Sequence, residues 1–177
     1  EKLGYPVFVK PANAGSSVGI TKARSRAELI AGIEKAFEND RLVLMEEAVV
    51  GREVEVAVLG GERDFVSECG EIAPNSDFYD YETKYISDVA EYYIPARLRP
   101  ETAEIIRGTA RRIFRALGCT GLSRVDFFVT ADETVYFNEI NTLPGFTAIS
   151  MYPQLMRRSG LTYAELIDRL VEDACRR

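Results

Sequence analysis

An α+β fold in two lobes is the architecture this sequence predicts, on three observations. Strand-like and helix-like segments are mixed without a repeating unit, antiparallel hairpins are signalled near both ends, and a long polar stretch with neither period lies between them. Val7 to Lys10 reads as a short strand, followed by a loop from Pro11 to Gly19 and a second strand starting at Val18-Gly19-Ile20. Ser25 is placed to cap a helix whose apolar residues Ala27, Leu29, Ile30, Ile33, Ala36 and Phe37 follow helical spacing, with an end near Asn39-Asp40. Strands are expected at Leu42 to Glu46 and Glu53 to Leu59, with Gly60-Gly61 turning the chain into another at Asp64 to Glu68. Pro74 to Asp88 is aromatic and polar, and a loop of that length in a compact chain usually carries function. Beyond it come a strand around Tyr92 to Pro95, a helix from Pro100 to Leu117 stopped by Gly118, a hairpin, and two helices at about Ser150 to Arg158 and Thr162 to Ala174. The lobe boundary is expected near residue 74, giving lobes of residues 1–73 and 74–177.

Composition narrows the chemistry. The 177 residues are 46% hydrophobic, enough for a real core. A net charge of −6 disfavours nucleic acid or an anionic membrane as partner. Histidine is absent, which excludes Ser-His-Asp and Cys-His catalysis and any His-ligated metal. Cys69, Cys119 and Cys175 form neither a CxxC pair nor a disulfide framework, and reduced thiols in a cytoplasmic protein fit them best. No apolar run approaches a membrane span, and no signal peptide is present. The start at Glu1-Lys2-Leu3-Gly4, directly before a strand, reads like a piece of something longer.

The strongest chemical signal is the hairpin of Arg124-Val125-Asp126 and Glu139-Ile140-Asn141. Period-2 alternation puts Arg124 and Asp126 on one face, and Glu139 and Asn141 on a face shared with Val135 and Phe137. A four-residue loop from Ala131 to Thr134 would pair Thr130 with Val135, which sets Asp126 opposite Glu139 and Arg124 opposite Asn141. Directly opposed Cβ atoms lie roughly 4.5–5.5 Å apart. Two carboxylates at that distance call for a cation between them, and Asp, Glu and Asn offer only oxygen, which suits magnesium. Arg124 adds a planar donor fork suited to phosphate. The competing reading is a solvated strand face with an Arg–Asp pair.

Three further segments are suggestive. Lys10, followed by Asn13 to Gly19, would set an ammonium and backbone N–H groups around a polyphosphate, although the stretch also reads as an ordinary Gly-Ser turn and is no Walker A loop. The edge Glu46-Glu47-Ala48-Val49 could read an adenine and Glu53 a ribose, or these could be solvated strand ends. Phe78 to Tyr85 holds four aromatics beside Lys84, which suggests a lid packing on a ligand or else a satellite core.

Taken together, Val9-Lys10-Pro11, Gly15-Ser16-Ser17-Val18-Gly19, Phe78-Tyr79-Asp80-Tyr81-Glu82-x-Lys84-Tyr85, Arg124-x-Asp126, Asn138-Glu139-x-Asn141-Thr142-x-Pro144-Gly145-Phe146-Thr147 and Ser150-Met151-Tyr152-Pro153 resemble the D-alanine-D-alanine ligases of the ATP-grasp fold. The resemblance spans the whole chain. It implies two lobes with antiparallel sheets flanked by helices enclosing a nucleotide, and a cytoplasmic ligase of peptidoglycan precursor synthesis. Such an enzyme phosphorylates one D-alanine with ATP and lets the amine of a second attack the acyl phosphate. It implies that Lys10 contacts nucleotide phosphate, that Glu46, Glu47 and Val49 form the adenine edge, that Glu53 binds the ribose and that Phe78 belongs to the nucleotide site. Asp126 and Glu139 would hold one magnesium, Glu139 and Asn141 a second, with Mn2+ as a substitute. Arg124 and the Gly145 N–H would stabilise the tetrahedral oxyanion, and Ser150 with the Met151 backbone the acceptor's carboxylate. Lys84 would approach the γ-phosphate, and Ser16 with Tyr85 would latch the lid.

Two departures bear on this. Glu47 stands where some members carry Lys, and Ile149 where others carry His. The resemblance implies that the family's N-terminal domain and the first part of its ATP-grasp lobe lie outside this chain, so the chain alone is expected to be inactive, and its parent is expected to be a homodimer. The alternatives are a D-alanine-D-serine ligase, another ATP-grasp carboxylate-amine ligase, and a non-catalytic nucleotide-binding module.

Overall fold

The computed structural model describes residues 3–15, 17–61, 64–73, 91–147 and 149–176. They fall into two compact units, residues 3–49 and residues 50–73 with 91–176.

In the first unit, β1 (Val7–Pro11) is the middle strand of an antiparallel sheet, between β2 (Thr21–Ala23) and β3 (Val43–Glu47). Alternation along β1 buries Val7 and Val9, in register with Ala23 and Thr21, and helix α1 (Arg26–Phe37) closes that face with Ala36. The Ser25 hydroxyl accepts from the Glu28 N–H at 3.3 Å, as its position predicts. Ile30 and Phe37, counted in the apolar stripe of that helix, are instead exposed. The second strand begins at Thr21 and not at Val18, because Val18 N–H bonds back to Gly15 and Ile20 N–H to Ser17, where φ is +60°.

The second unit is a five-stranded antiparallel sheet in the order β6-β5-β4-β7-β8, made of β4 (Arg52–Leu59), β5 (Phe65–Ala73), β6 (Glu91–Tyr93), β7 (Leu122–Val129) and β8 (Val135–Asn141). This corrects the expected boundary at residue 74. Val54, Val56 and Val58 are fully buried beside Val125, Phe127 and Val129, and β4 pairs with β7 along its whole length, so residues 50–73 belong with the C-terminal elements. Helix α2 (Pro100–Ala116) seals this apolar face with Ile106, Ala110 and Phe114.

The opposite face is shared. Over β5 and β4 lies α3 (Met151–Arg158), whose buried Tyr152 donates its hydroxyl to the Val58 carbonyl at 3.1 Å. A Cβ on Gly70 would stand 2.7 Å from Leu155 Cδ2, so the helix comes this close only because that strand position is glycine. Helix α4 (Tyr163–Cys175) follows, started by a capping box between Thr162 and Glu165. Among the described residues no helix is long and apolar enough to cross a membrane.

The β7–β8 hairpin differs from expectation in a way that matters. Val129, not Thr130, pairs with Val135, which leaves a five-residue loop in which Glu133 takes a φ of +68°. The register then shifts between Asp126 and Phe127, and Asn138 is the extra residue of a β-bulge. Paired residues share a face, so Phe137 joins Phe127 on the core side with ring centroids 6.1 Å apart, while Glu139 joins Asp126 on the other. Phe137 and Glu139 therefore do not share a face, despite their i, i+2 spacing. The bulge keeps the Phe137 ring against the core, where regular pairing with Phe128 would turn it to the face of Asp126.

A candidate acidic site on the open sheet face

The register places Glu55 of β4, Asp126 of β7 and Glu139 of β8 in one row, with Arg124 and Asn141 in the next. The expected pairs, Asp126 with Glu139 and Arg124 with Asn141, are both present. Arg124 forks onto Asp126, Nε to Oδ1 and Nη2 to Oδ2, at 2.8 Å each. Its Nε also lies 3.1 Å from Glu55 Oε2. The Asn141 amide points between the two other acids, 3.4 Å from Asp126 Oδ2 and 3.3 Å from Glu139 Oε1. Asp126 is 8% exposed and Glu55 7%, so the β4–β7 part of this face is closed to solvent, while Glu139 at the β8 edge is exposed. Burial works against the Arg124 charge, but the Asp126 bonds and the fields of Glu55 and Glu139 outweigh it and raise its pKa above the ordinary arginine value.

Three carboxylates against one guanidinium leave the row two charges negative, a field that attracts a cation. Among the described residues no three acids, histidines or cysteines stand ready as a complete metal cage. The chemistry still fits magnesium, which uses one or two carboxylates and takes its other oxygens from water and phosphate. The Asn141 amide would have to turn its oxygen inward, a rotation open to any amide.

The residues around the start of α3 also gather. Ser150 precedes α3, and its hydroxyl turns back to accept from the Thr147 N–H at 3.0 Å and to bond the Thr147 hydroxyl at 2.8 Å. A Cβ on Gly145 would sit 2.9 Å from Ser150 Oγ, so glycine is needed for this closure. Met151 is buried behind it. Glu53 lies two residues before Glu55 on the same strand face, partly buried, in register with Phe128.

In the first unit, Lys10 Nζ is 2.7 Å from Glu46 Oε2. Glu47 is in register with Val7, and Val49 follows the strand partly buried. Ser16, Phe78, Lys84, Tyr85 and the expected lid lie outside the described residues. Sequence reasoning passed over Glu55, although Glu53-Val54-Glu55-Val56 alternates and so announces two acids on one strand face.

Antiparallel sheets in two units, with an Arg–Asp–Glu–Asn row on one open face, belong to the ATP-grasp class of fold, and solved structures of the same fold bear this out. The D-Ala:D-Ser ligase VanG from Enterococcus faecalis superposes with a TM-score of 0.86 at 46% identity, covering 96% of this chain and 50% of that one. The D-alanine-D-alanine ligase from Coxiella burnetii gives 0.84 at 36% identity, covering 96% and 45%. Residues 1–172 match the family model of the D-ala D-ala ligase C-terminus, and the chain belongs to that family. It is 55% identical over 171 residues to a D-alanine--D-alanine ligase of Caldicellulosiruptor bescii, covering 96% of this chain and 47% of the relative. A Clostridium acetobutylicum relative of the same name is 54% identical over 177 residues, with 99% and 52% covered. The chain thus spans about half the length of the curated relatives it matches.

Proposed function

We propose that this chain is the nucleotide, metal and acceptor half of an ATP-dependent ligase that joins two D-alanines into D-alanyl-D-alanine for the bacterial cell wall, in the cytoplasm. The observation that carries the reading is the cluster of Asp126, Glu139 and Asn141 beside a partly buried Arg124. Asp126 with Glu139, and Glu139 with Asn141, would hold two magnesium ions, which when bound neutralise phosphate charge.

The remaining work falls to the chain's own groups. Arg124 spends Nε and Nη2 on Asp126, which fixes the plane of its guanidinium and leaves Nη1 available to an oxyanion on the substrate. The Gly145 N–H would supply a second donor to that oxyanion, and its nearness to Ser150 ties oxyanion and acceptor subsites together. Ser150 and the Met151 N–H would bind the acceptor's carboxylate where a helix begins, which favours an anion. Lys10 would exchange Glu46 for nucleotide phosphate, with Glu46, Glu47 and Val49 at the adenine and Glu53 at the ribose. Ser16, Phe78, Lys84 and Tyr85 enter this reading through their family resemblance.

A second reading, D-serine as acceptor, is favoured by the likeness to the VanG ligase. The test is ATP-dependent dipeptide synthesis by a chain of the relatives' full length carrying this segment. D-alanine, D-serine and D-lactate compete as acceptors, and Glu139→Gln runs in parallel. We expect dipeptide, little depsipeptide, and a loss of at least about 10²-fold in the variant, the scale on which transition-state charge stabilisation is lost. More than half of wild-type turnover at saturating magnesium would remove Glu139 from the site.

A further inference from the structure

Glu55 belongs to none of the motifs, yet it is a buried acid on the same sheet face as Asp126. It faces Asp126 across the β4–β7 register, is 7% exposed, and reaches Arg124 Nε at 3.1 Å. Arg124 is thus held from two strands. Its fork occupies both oxygens of Asp126, the same oxygens a cation between Asp126 and Glu139 would need. From this competition we infer that Glu55 is a positioning residue: it retains Arg124 when Asp126 turns its oxygens to a divalent cation.

The strand order carries the argument. Glu55 is on β4, Arg124 and Asp126 on β7, Glu139 and Asn141 on β8. Two strand spacings, about 10 Å, separate Glu55 from Glu139, too far for both to hold one cation. Asp126 stands between and can serve either side, whereas Glu55 can serve only the Arg124 side. Once Asp126 turns toward β8, its fork with Arg124 opens, and a guanidinium whose side chain is only 20% exposed is disfavoured without a counter-charge. Glu55 already stands 3.1 Å from the nitrogen that is released, so the transfer needs no movement of either strand. Arg124 then stays on the site face, aimed, while Asp126 is free to bind the metal. This rests on the reading of Asp126, Glu139 and Asn141 as the cation site.

Glu55→Asp separates positioning from charge, because it keeps the negative charge and withdraws it by one methylene. Binding of Mn2+ is measured by the paramagnetic resonance of the free ion, for wild type, Glu55→Asp and Glu55→Gln. Water exchange at the Arg124 Nε–H is followed by nitrogen-resolved NMR with and without Mg2+. Both variants are expected to bind Mn2+ about tenfold more weakly, the usual effect of losing a partner behind a metal ligand. With Mg2+ bound, the Arg124 Nε–H is expected to stay protected in wild type and to exchange freely in Glu55→Asp. Wild-type affinity in Glu55→Asp, or equal protection of Arg124 in both proteins, overturns the role of Glu55. Failure of the wild type to bind Mn2+ would instead remove the cation site itself.

Discussion

Glu71→Gln tests the best-built ion pair of the second unit. Glu71 is 1% exposed at the end of β5, and Arg97 meets it with three bonds, from Nη2 at 2.5 Å, Nε at 3.2 Å and the backbone N–H at 3.0 Å. The Arg97 guanidinium in turn stacks 3.7 Å from the Tyr93 ring centroid. Glutamine keeps the volume and one acceptor but turns the other oxygen into a donor facing donors. Hydrogen bonds to a charged group are worth about 1.5–3 kcal/mol each. Arg97 is 54% exposed and recovers part of its hydration, so about 2 kcal/mol is the expected loss at pH 7. For a domain of this size that is roughly 4–8 °C in Tm.

The same pair predicts a pH signature. Burial pushes the Glu71 pKa up, but the Arg97 bonds and charge more than offset it and hold the carboxyl below its ordinary 4.5. A depressed folded-state pKa gives stability that is full above the unfolded value and is lost as pH falls through the folded one. The gap between wild type and variant is therefore expected to be full at pH 7 and to close below the ordinary 4.5. Urea unfolding followed by far-ultraviolet circular dichroism, with equal m-values, measures it. A gap below about 0.5 kcal/mol at pH 7, or one unchanged at pH 3.5, would refute the assignment of an ionised, bonded Glu71.

Other expectations are simpler. Burial pushes the Cys69 thiol up to about 12, whereas Cys175 is exposed, so a thiol reagent at pH 8 should modify Cys175 rapidly and Cys69 only after unfolding. Mass mapping of the modified peptides checks this. Tyr152→Phe removes the only side-chain bond to the Val58 carbonyl among the described residues and should cost about 1 kcal/mol in urea unfolding, with the fold intact. Thr162→Ala breaks the capping box of α4 and should cost about 1 kcal/mol.

The site was more legible in the sequence than the lobes were. Asp126 and Glu139 carry their pairing in alternation and loop length, both local signals, and two departures from the expected hairpin cancelled at that pair. Glu55 was missed because its importance comes from β7, a partner far along the chain that no periodicity in β4 names. The boundary failed for the same reason. The β4–β5 hairpin looks local and self-contained, but the burial of Val54, Val56 and Val58 depends on β7 and α2.

The bulge at Asn138 also decides how this hairpin can vary. The five-residue loop shifts β8 by one position and the bulge shifts it back, so the two irregularities are equal and opposite. If the extra residue migrates into the strand end and the loop tightens to four, Val135 meets Thr130 while Glu139 still meets Asp126. The turn half of the hairpin can thus slip by one residue without carrying the acidic row with it. A one-residue error of pairing at Val135 or Phe137 is thus absorbed before it reaches Glu139, while Glu133 at the tip stays tied to Arg52.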